Sequence, residues 1–145
     1  MKLKDLKDTQ KHASKIADHV SQPSLILLKG DLGVGKTQWV RFFIQSYFKN
    51  NKLNIQSPSY SLVQVYEKEK KKIVHMDLYR ISDLNDLEST GFWDFMGEKN
   101  IICVEWSGLL PKEHIKGREC YEIEMKFLEN NQRELTCFRN GTSYP

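Results

Sequence analysis

Residues 30–37 read GDLGVGKT and fit the spacing G-x-x-x-x-G-K-[ST]. Each fixed position has a mechanical task. The glycines let the backbone curl so that successive N–H groups face one anion. Lys36 can reach β- and γ-phosphates, and the Thr37 hydroxyl can hold Mg²⁺. Such a site also needs carboxylates near the γ-phosphate, commonly at the ends of buried strands. Two candidates stand at such positions: Asp77 closes the run Ile73-Val74-His75-Met76, and Glu105 closes Ile101-Ile102-Cys103-Val104. Both also read as capping or surface carboxylates. A third element is Ser57-Pro58-Ser59-Tyr60. A hydroxyl just before a strand can sense phosphate and metal, as switch loops do; the same residues also read as a plain turn.

These groups need a frame. Leu25-Ile26-Leu27-Leu28 precedes the loop as an apolar run, and residues 38–48 follow with helical spacing, Trp39, Phe42, Phe43 and Tyr47 on one face. Strand, loop, helix is the order that seats a phosphate on a helix N-terminus. A helix is expected over about residues 9–20, with Ala13, Ile16, Ala17 and Val20 buried and Pro23 closing it. Residues 60–67 and 72–78 read as strands, and the mixed charges of 68–72 as the solvated turn between them; a docking patch for RNA or an acidic partner is the other reading. Ser82 or Asp83 can cap a short helix ending at Gly91. Phe92, Trp93, Phe95 and Met96 are core or a partner-binding surface. The continuous run 101–104 predicts a strand buried on both faces. Residues 119–128 and 134–139 predict an antiparallel hairpin at the sheet edge, turning at 129–132. In an open α/β sheet of this kind, ligands sit beyond the strand carboxyl ends.

At 145 residues the chain suits one domain, 1–145, with a substantial core. It is 39% hydrophobic and 28% charged, as for a globular protein, and its net charge of +3 is too small to argue for nucleic acid by itself. No apolar run approaches a membrane span of about 18 residues. The start, MKLKDLKDTQKH, lacks the apolar region of a signal peptide, so a cytosolic location is expected. Cys103, Cys120 and Cys137 form no C-x-x-C pair, so zinc is not expected and plain structural thiols are. Asn140-Gly141-Thr142 matches a glycosylation sequon and reads here only as a turn.

Four stretches in order, GDLGVGKT, SPSYSLVQVYE, HMDLYRISDLNDLESTGFWDF and IICVEW, resemble the TsaE (YjeE) family. These are the bacterial P-loop ATPases of the tRNA threonylcarbamoyladenosine (t6A) pathway. The likeness covers nearly the whole chain, and HxDLYR followed by an acidic helix and a strand ending Glu-Trp is its most diagnostic part. It implies a P-loop NTPase-type three-layer α/β sandwich, with a mainly parallel central sheet and antiparallel edge strands. It implies that Gly33, Val34, Gly35, Lys36, Thr37 and Gln38 wrap the phosphates of ATP. Thr37 and Glu105 would hold Mg²⁺, Asp77 would position metal or attacking water, and Ser57 and Ser59 would form the switch. Thr9 and Trp106 would belong to the nucleotide site. Ser59 stands where the family usually has Thr, and Ser107 where Pro is common; neither change removes a functional group. The implied partners are TsaB and TsaD, whose complex attaches threonylcarbamoyl to adenosine 37 of tRNAs reading ANN codons. The chain would meet tRNA indirectly through them, and no membrane.

The expected activity is a slow, Mg²⁺-dependent ATPase that relies on its partners, with Lys36, Asp77 and Glu105 as catalytic residues. Of five arginines, at 41, 80, 118, 133 and 139, Arg80 is the only one expected near a motif. It also reads as a structural salt-bridge partner, which leaves room for a trans-acting residue from a partner. A P-loop small-molecule kinase is an alternative, but it would close an Arg-rich lid over the phosphate, and no segment reads as one. A GTP-dependent switch module is another. It needs N-K-x-D, and Asn51-Lys52-Leu53-Asn54 lacks the Asp and follows the P-loop helix too soon. ATP is therefore the expected nucleotide.

Overall fold

The computed structural model describes residues 1–145, the side chain of His114 excepted. After a two-residue strand β1 (Lys2–Leu3) comes helix α1 (Leu6–His19). It starts three residues before the sequence expectation, because its first turn is polar and carries no apolar periodicity. Asp5 supplies the start signal: its Oδ1 accepts from the N–H groups of Lys7 (2.8 Å) and Asp8 (3.0 Å), while Asp8 Oδ2 accepts from Lys4 N–H. Strand β2 (Ser24–Lys29) leads into the glycine loop, and helix α2 (Lys36–Tyr47) leaves it. Strands β3 (Val63–Lys68) and β4 (Lys71–Asp77) form the expected hairpin, turning at Glu69 and Lys70. The short helices α3 (Leu84–Ser89) and α4 (Phe92–Met96) precede β5 (Ile101–Glu105). Two 3-10 turns, Ser107–Leu109 and Lys112–Ile115, then lead to β6 (Glu119–Phe127), β7 (Arg133–Arg139) and the two-residue β8 (Thr142–Ser143).

All eight strands join one sheet in the order β1-β7-β6-β2-β5-β4-β3, with β8 also on β7. The four central strands, β6, β2, β5 and β4, run parallel, and antiparallel strands extend both sides. The β6–β7 hairpin forms as expected, but not at the edge. β6 is an interior strand whose residues 119–124 pair with β2, and β7 carries β1 and β8. Its alternation arises because inward residues such as Tyr121, Ile123 and Met125 are buried while the opposite face stays partly open. Each two-residue strand is too short to display a period, which is why neither is visible in sequence.

Two apolar cores cover the two sheet faces, giving three layers. On one, Ile26, Leu28, Ile73, Ile101 and Cys103 pack under Ala13 and Ile16 of α1 and Trp39, Val40 and Phe43 of α2. On the other, Leu25, Leu27, Val74, Met76 and Val104 pack against Leu87, Phe92 and Leu110. Strands β2 and β5 are therefore covered on both sides, as their unbroken apolar runs require. The aromatic cluster belongs to the second core: Phe92 is buried, and Trp93, Phe95 and Met96 pack partly buried against it. All three cysteines are free thiols. No helix among the described residues is long and apolar enough to cross a membrane.

Candidate nucleotide and metal site

The loop between β2 and α2 is shaped by glycines in conformations other residues avoid. Gly30 has φ +142°, and a Cβ there would fall on the carbonyl oxygen of Met125 in β6. Gly33 (φ +79°) and Gly35 (φ +116°) turn the chain the left-handed way, and Gly35 is the N-cap of α2, with no side-chain cap bond. The Trp39 N–H closes the first helical bond onto the Gly35 carbonyl. The N–H groups of Lys36, Thr37 and Gln38 precede it and have no partner within the helix, so they form a cluster of donors at its positive end. Lys36 is buried; its Nζ donates to the carbonyls of Gly30 (2.7 Å) and Asp31 (2.9 Å) and lies 4.1 Å from the centre of the Trp106 ring. Burial lowers the pKa of this ammonium, against the opposing pull of the carboxylates of Glu105, Asp77 and Asp31.

The parallel register of β4 and β5 sets Asp77 directly beside Glu105 at the carboxyl ends of the two strands. Both are buried. Thr37 Oγ1 donates to Glu105 Oε2 at 2.9 Å, and the Nε2 of His75, also buried, lies 2.7 Å from Glu105 Oε1. Asp77 Oδ1 accepts from the Tyr79 N–H (3.0 Å) and Oδ2 from Ser59 Oγ (3.3 Å), which shares a further bond with Ser57 Oγ (2.7 Å). Trp106 then takes a left-handed conformation (φ 59°, ψ 47°), costly for a bulky residue, and its N–H bonds the Leu28 carbonyl of β2. This bend lays the indole over Lys36 and against Tyr79, ring centres 4.8 Å apart.

A cleft of about 300 Å³ gathers Gly33, Gly35, Lys36, Thr37, Gln38, Ser59, Asp77, Glu105 and Trp106. Ser57 joins it through Ser59. Thr9 and Val34 lie next door, lining a second cleft of about 580 Å³ that shares Gly33, Gly35 and Gln38 with the first and adds Leu3, Met125 and Arg133. Thr9 reaches it from inside α1, one turn after Asp5, rather than from the helix start. Every sequence-predicted site residue thus lies in or against these two adjoining clefts.

Three residues escaped the sequence reading. His75 holds Glu105; its signal was its place two residues before Asp77 in one strand, hence on the same face. Arg41 lines the first cleft, four residues and one helical turn after Thr37, a spacing that could have found it. Arg133 donates from Nε to the Val34 carbonyl at 3.1 Å across ninety-nine positions, with no local signal. The expectation that Arg80 is the only arginine near a motif is therefore corrected. The Arg80 guanidinium stacks over the exposed Tyr60 ring at 4.9 Å, and Arg41 is the arginine on the cleft wall.

The donor set suits a hard cation. Thr37, Asp77 and Glu105 offer oxygen only, and the two buried carboxylates share the cleft with the Lys36 ammonium and the Arg41 guanidinium. No group of three or more His, Cys, Asp or Glu among the described residues could hold a metal unaided. Mg²⁺ takes one or two protein oxygens and completes its octahedron with water and phosphate, so these oxygen donors are of a kind that could hold it.

Over residues 3–135 the chain matches the family profile described as "Threonylcarbamoyl adenosine biosynthesis protein TsaE". It is 34% identical over 131 residues to a Rickettsia prowazekii protein named "tRNA threonylcarbamoyladenosine biosynthesis protein TsaE", covering 90% of this chain and 88% of the relative. An Aquifex aeolicus protein of the same name is 33% identical over 138 residues, covering 94% and 93%. The crystal structure of Bacillus subtilis YdiB has a similar fold, with a TM-score of 0.70 at 23% identity over 96% of this chain and 82% of that one.

Proposed function

Because this chain belongs to the TsaE family, we propose that it acts in tRNA threonylcarbamoyladenosine biosynthesis, as one domain over residues 1–145 that binds ATP with Mg²⁺ and hydrolyses it. The observation that carries this reading is the hydrogen bond from the Thr37 hydroxyl to Glu105, which joins the loop's metal-holding side chain to a strand-end carboxylate. Phosphoryl transfer needs positioning and charge stabilisation more than covalent help from the protein. The N–H groups at the start of α2 receive phosphate oxygens. Lys36 has three N–H donors and uses two on carbonyls, so the third is available to the β- and γ-phosphates. Trp106 and those carbonyls hold the ammonium at the loop. Thr37 and Glu105 would hold Mg²⁺, which would supply charge neutralisation across the β- and γ-oxygens.

Asp77, held by the Tyr79 N–H and by Ser59, would accept a hydrogen bond from an O–H of the attacking water. Ser57 and Ser59 tie segment 57–59 to that carboxylate, so a γ-phosphate that draws Ser59 away would be felt throughout the segment. The second cleft, which contains Thr9 and the apolar side chains of Leu3 and Met125, fits the nucleoside end of ATP. Arg41 brings a guanidinium to the wall of the first cleft, whereas Arg80 is engaged outside it with Tyr60.

The partners in this reading are TsaB and TsaD, with tRNA reached through them. Leu32, Tyr60 and Tyr79, all strongly exposed, stand at the mouth of the first cleft or beside its lining, which supports regulation by a docked protein. Phosphate release from Mg·ATP should be slow for the isolated chain and rise at least tenfold when TsaB–TsaD is added. Equal rates with and without the complex would remove partner control, and no Mg²⁺-dependent release in either case would remove the ATPase.

A further inference from the structure

We propose that His75 is a positioning residue for the metal carboxylate: its Nε2–H pins Glu105 Oε1, leaving Oε2 as the oxygen turned to Thr37 and the bound divalent cation. The inference rests on the Mg·ATP reading of the cleft and names a device within it. Its geometry comes from sheet register. His75 pairs with Cys103 and Asp77 with Glu105, so His75 and Glu105 are diagonal neighbours on one face of adjacent parallel strands. Their contact is 2.7 Å, with the imidazole fully buried and the carboxylate nearly so.

An acceptor-only carboxylate beside a ring nitrogen requires the proton on that nitrogen. The other ring nitrogen, Nδ1, is buried and has no hydrogen-bond partner among the described residues. A proton on Nδ1 would be a buried, unsatisfied donor, so both ends of the ring favour the same Nε2–H arrangement. With Oε1 held, the Glu105 carboxylate cannot rotate to present both oxygens, and its remaining oxygen meets Thr37 at 2.9 Å. Groups that orient metal ligands in this way typically change metal affinity or activity by about 10–100-fold when removed.

The test compares His75→Met, which fills the site without a donor, with His75→Gln, whose amide N–H₂ can reach the same carboxylate oxygen. A fluorescent, non-hydrolysable ATP analogue is titrated into each protein with and without Mg²⁺. His75→Met should weaken the Mg²⁺-dependent part of binding about tenfold or more, leave Mg²⁺-free binding within about twofold, and lower kcat with little change in KM at saturating Mg²⁺. His75→Gln should recover most of the loss. A His75→Met protein with the wild-type Mg²⁺ response overturns the inference, as does a loss that His75→Gln does not relieve. If His75→Met does not fold, the unsubstituted protein decides. Long-range ¹H–¹⁵N spectra of ¹⁵N-histidine-labelled chain should give His75 (identified by its absence in His75→Gln) as protonated at Nε2, and a ring protonated only at Nδ1 overturns the proposal. Wild-type binding that is indifferent to Mg²⁺ would instead refute the Mg·ATP reading, and the tautomer would still report on the His75–Glu105 contact.

Discussion

At the residue scale, Lys36 and Glu105 do different work and should fail differently. In the proposed function Lys36 would meet phosphate charge directly. A charge-assisted hydrogen bond contributes about 1.5–3 kcal/mol, so Lys36→Ala should weaken equilibrium binding of the ATP analogue by about 10–100-fold with or without Mg²⁺. Glu105 would act through the metal. Glu105→Gln keeps the shape and the His75 and Thr37 neighbours but removes the charge, so Mg²⁺-dependent turnover should fall about 100-fold while Mg²⁺-free binding stays close to wild type. Unchanged binding in the first or unchanged turnover in the second would take that residue out of the site. The place of both in one cleft was legible in sequence, one from the loop spacing and the other from its position at the end of the most apolar strand. His75 was hidden because a histidine within an apolar strand looks like any buried ring until register puts it beside Glu105.

Elements decide how the loop is built and how α1 and α2 hold together. Two glycines separate shape from chemistry. A Cβ on Gly30 would collide with the Met125 backbone in addition to the strained φ, whereas a Cβ on Gly33 meets nothing within 4 Å. Gly30→Ala should therefore destabilise the fold by at least about 2 kcal/mol in denaturant unfolding. Gly33→Ala should cost about 1 kcal/mol, from its backbone angle alone, and show its larger effect on nucleotide affinity. Equal unfolding losses would contradict that division. Between the helices, the Trp39 indole N–H donates to His12 Nδ1 at 3.0 Å in the core. Burial, with Lys15 and the N-terminus adding repulsion, lowers the His12 pKa from 6.5 to about 4. The depressed value favours the neutral ring in the folded state, so its contribution is fully present above pH 6.5 and lost as pH falls toward 4, where the unfolded chain takes up the proton first. At about 1.4 kcal/mol per pKa unit, that loss approaches about 3 kcal/mol. Thermal melts between pH 7.5 and 4.5 should show a steeper decline for wild type than for His12→Asn, which can accept from Trp39 without titrating; parallel declines would count against it. The start of α1 was misread for a local reason: Asp5 caps the helix, but Leu6, Lys7 and Asp8 show no apolar face, so the pattern became visible only at Thr9.

For the whole molecule, the architecture was legible where strands are covered on both faces, because two-sided burial leaves an unbroken apolar run that sequence displays. The sheet order was not, since alternation in β6 tells which face is buried but not that β2 is its neighbour. Arg133 beside Val34 and Thr9 beside Gly33 arise only after β7 and α1 pack against the loop, so no local signal could place the second cleft. Arg80 lies over Tyr60 outside the first cleft, and the exposed Leu32, Tyr60 and Tyr79 stand at its rim. In the proposed function this rim would receive a docked partner, and the rise in phosphate release on adding TsaB–TsaD would come from it. In the proposed function the glycine loop and two strand ends would share one magnesium ion with ATP. A crystal structure of the chain with Mg²⁺ and a non-hydrolysable ATP analogue decides this. It should show a metal about 2.1 Å from Thr37 Oγ1 and from β- and γ-phosphate oxygens, with Glu105 bound directly or through one water and Asp77 facing the γ-phosphate. A triphosphate seated elsewhere, or a metal that neither Thr37 nor Glu105 touches, would contradict it.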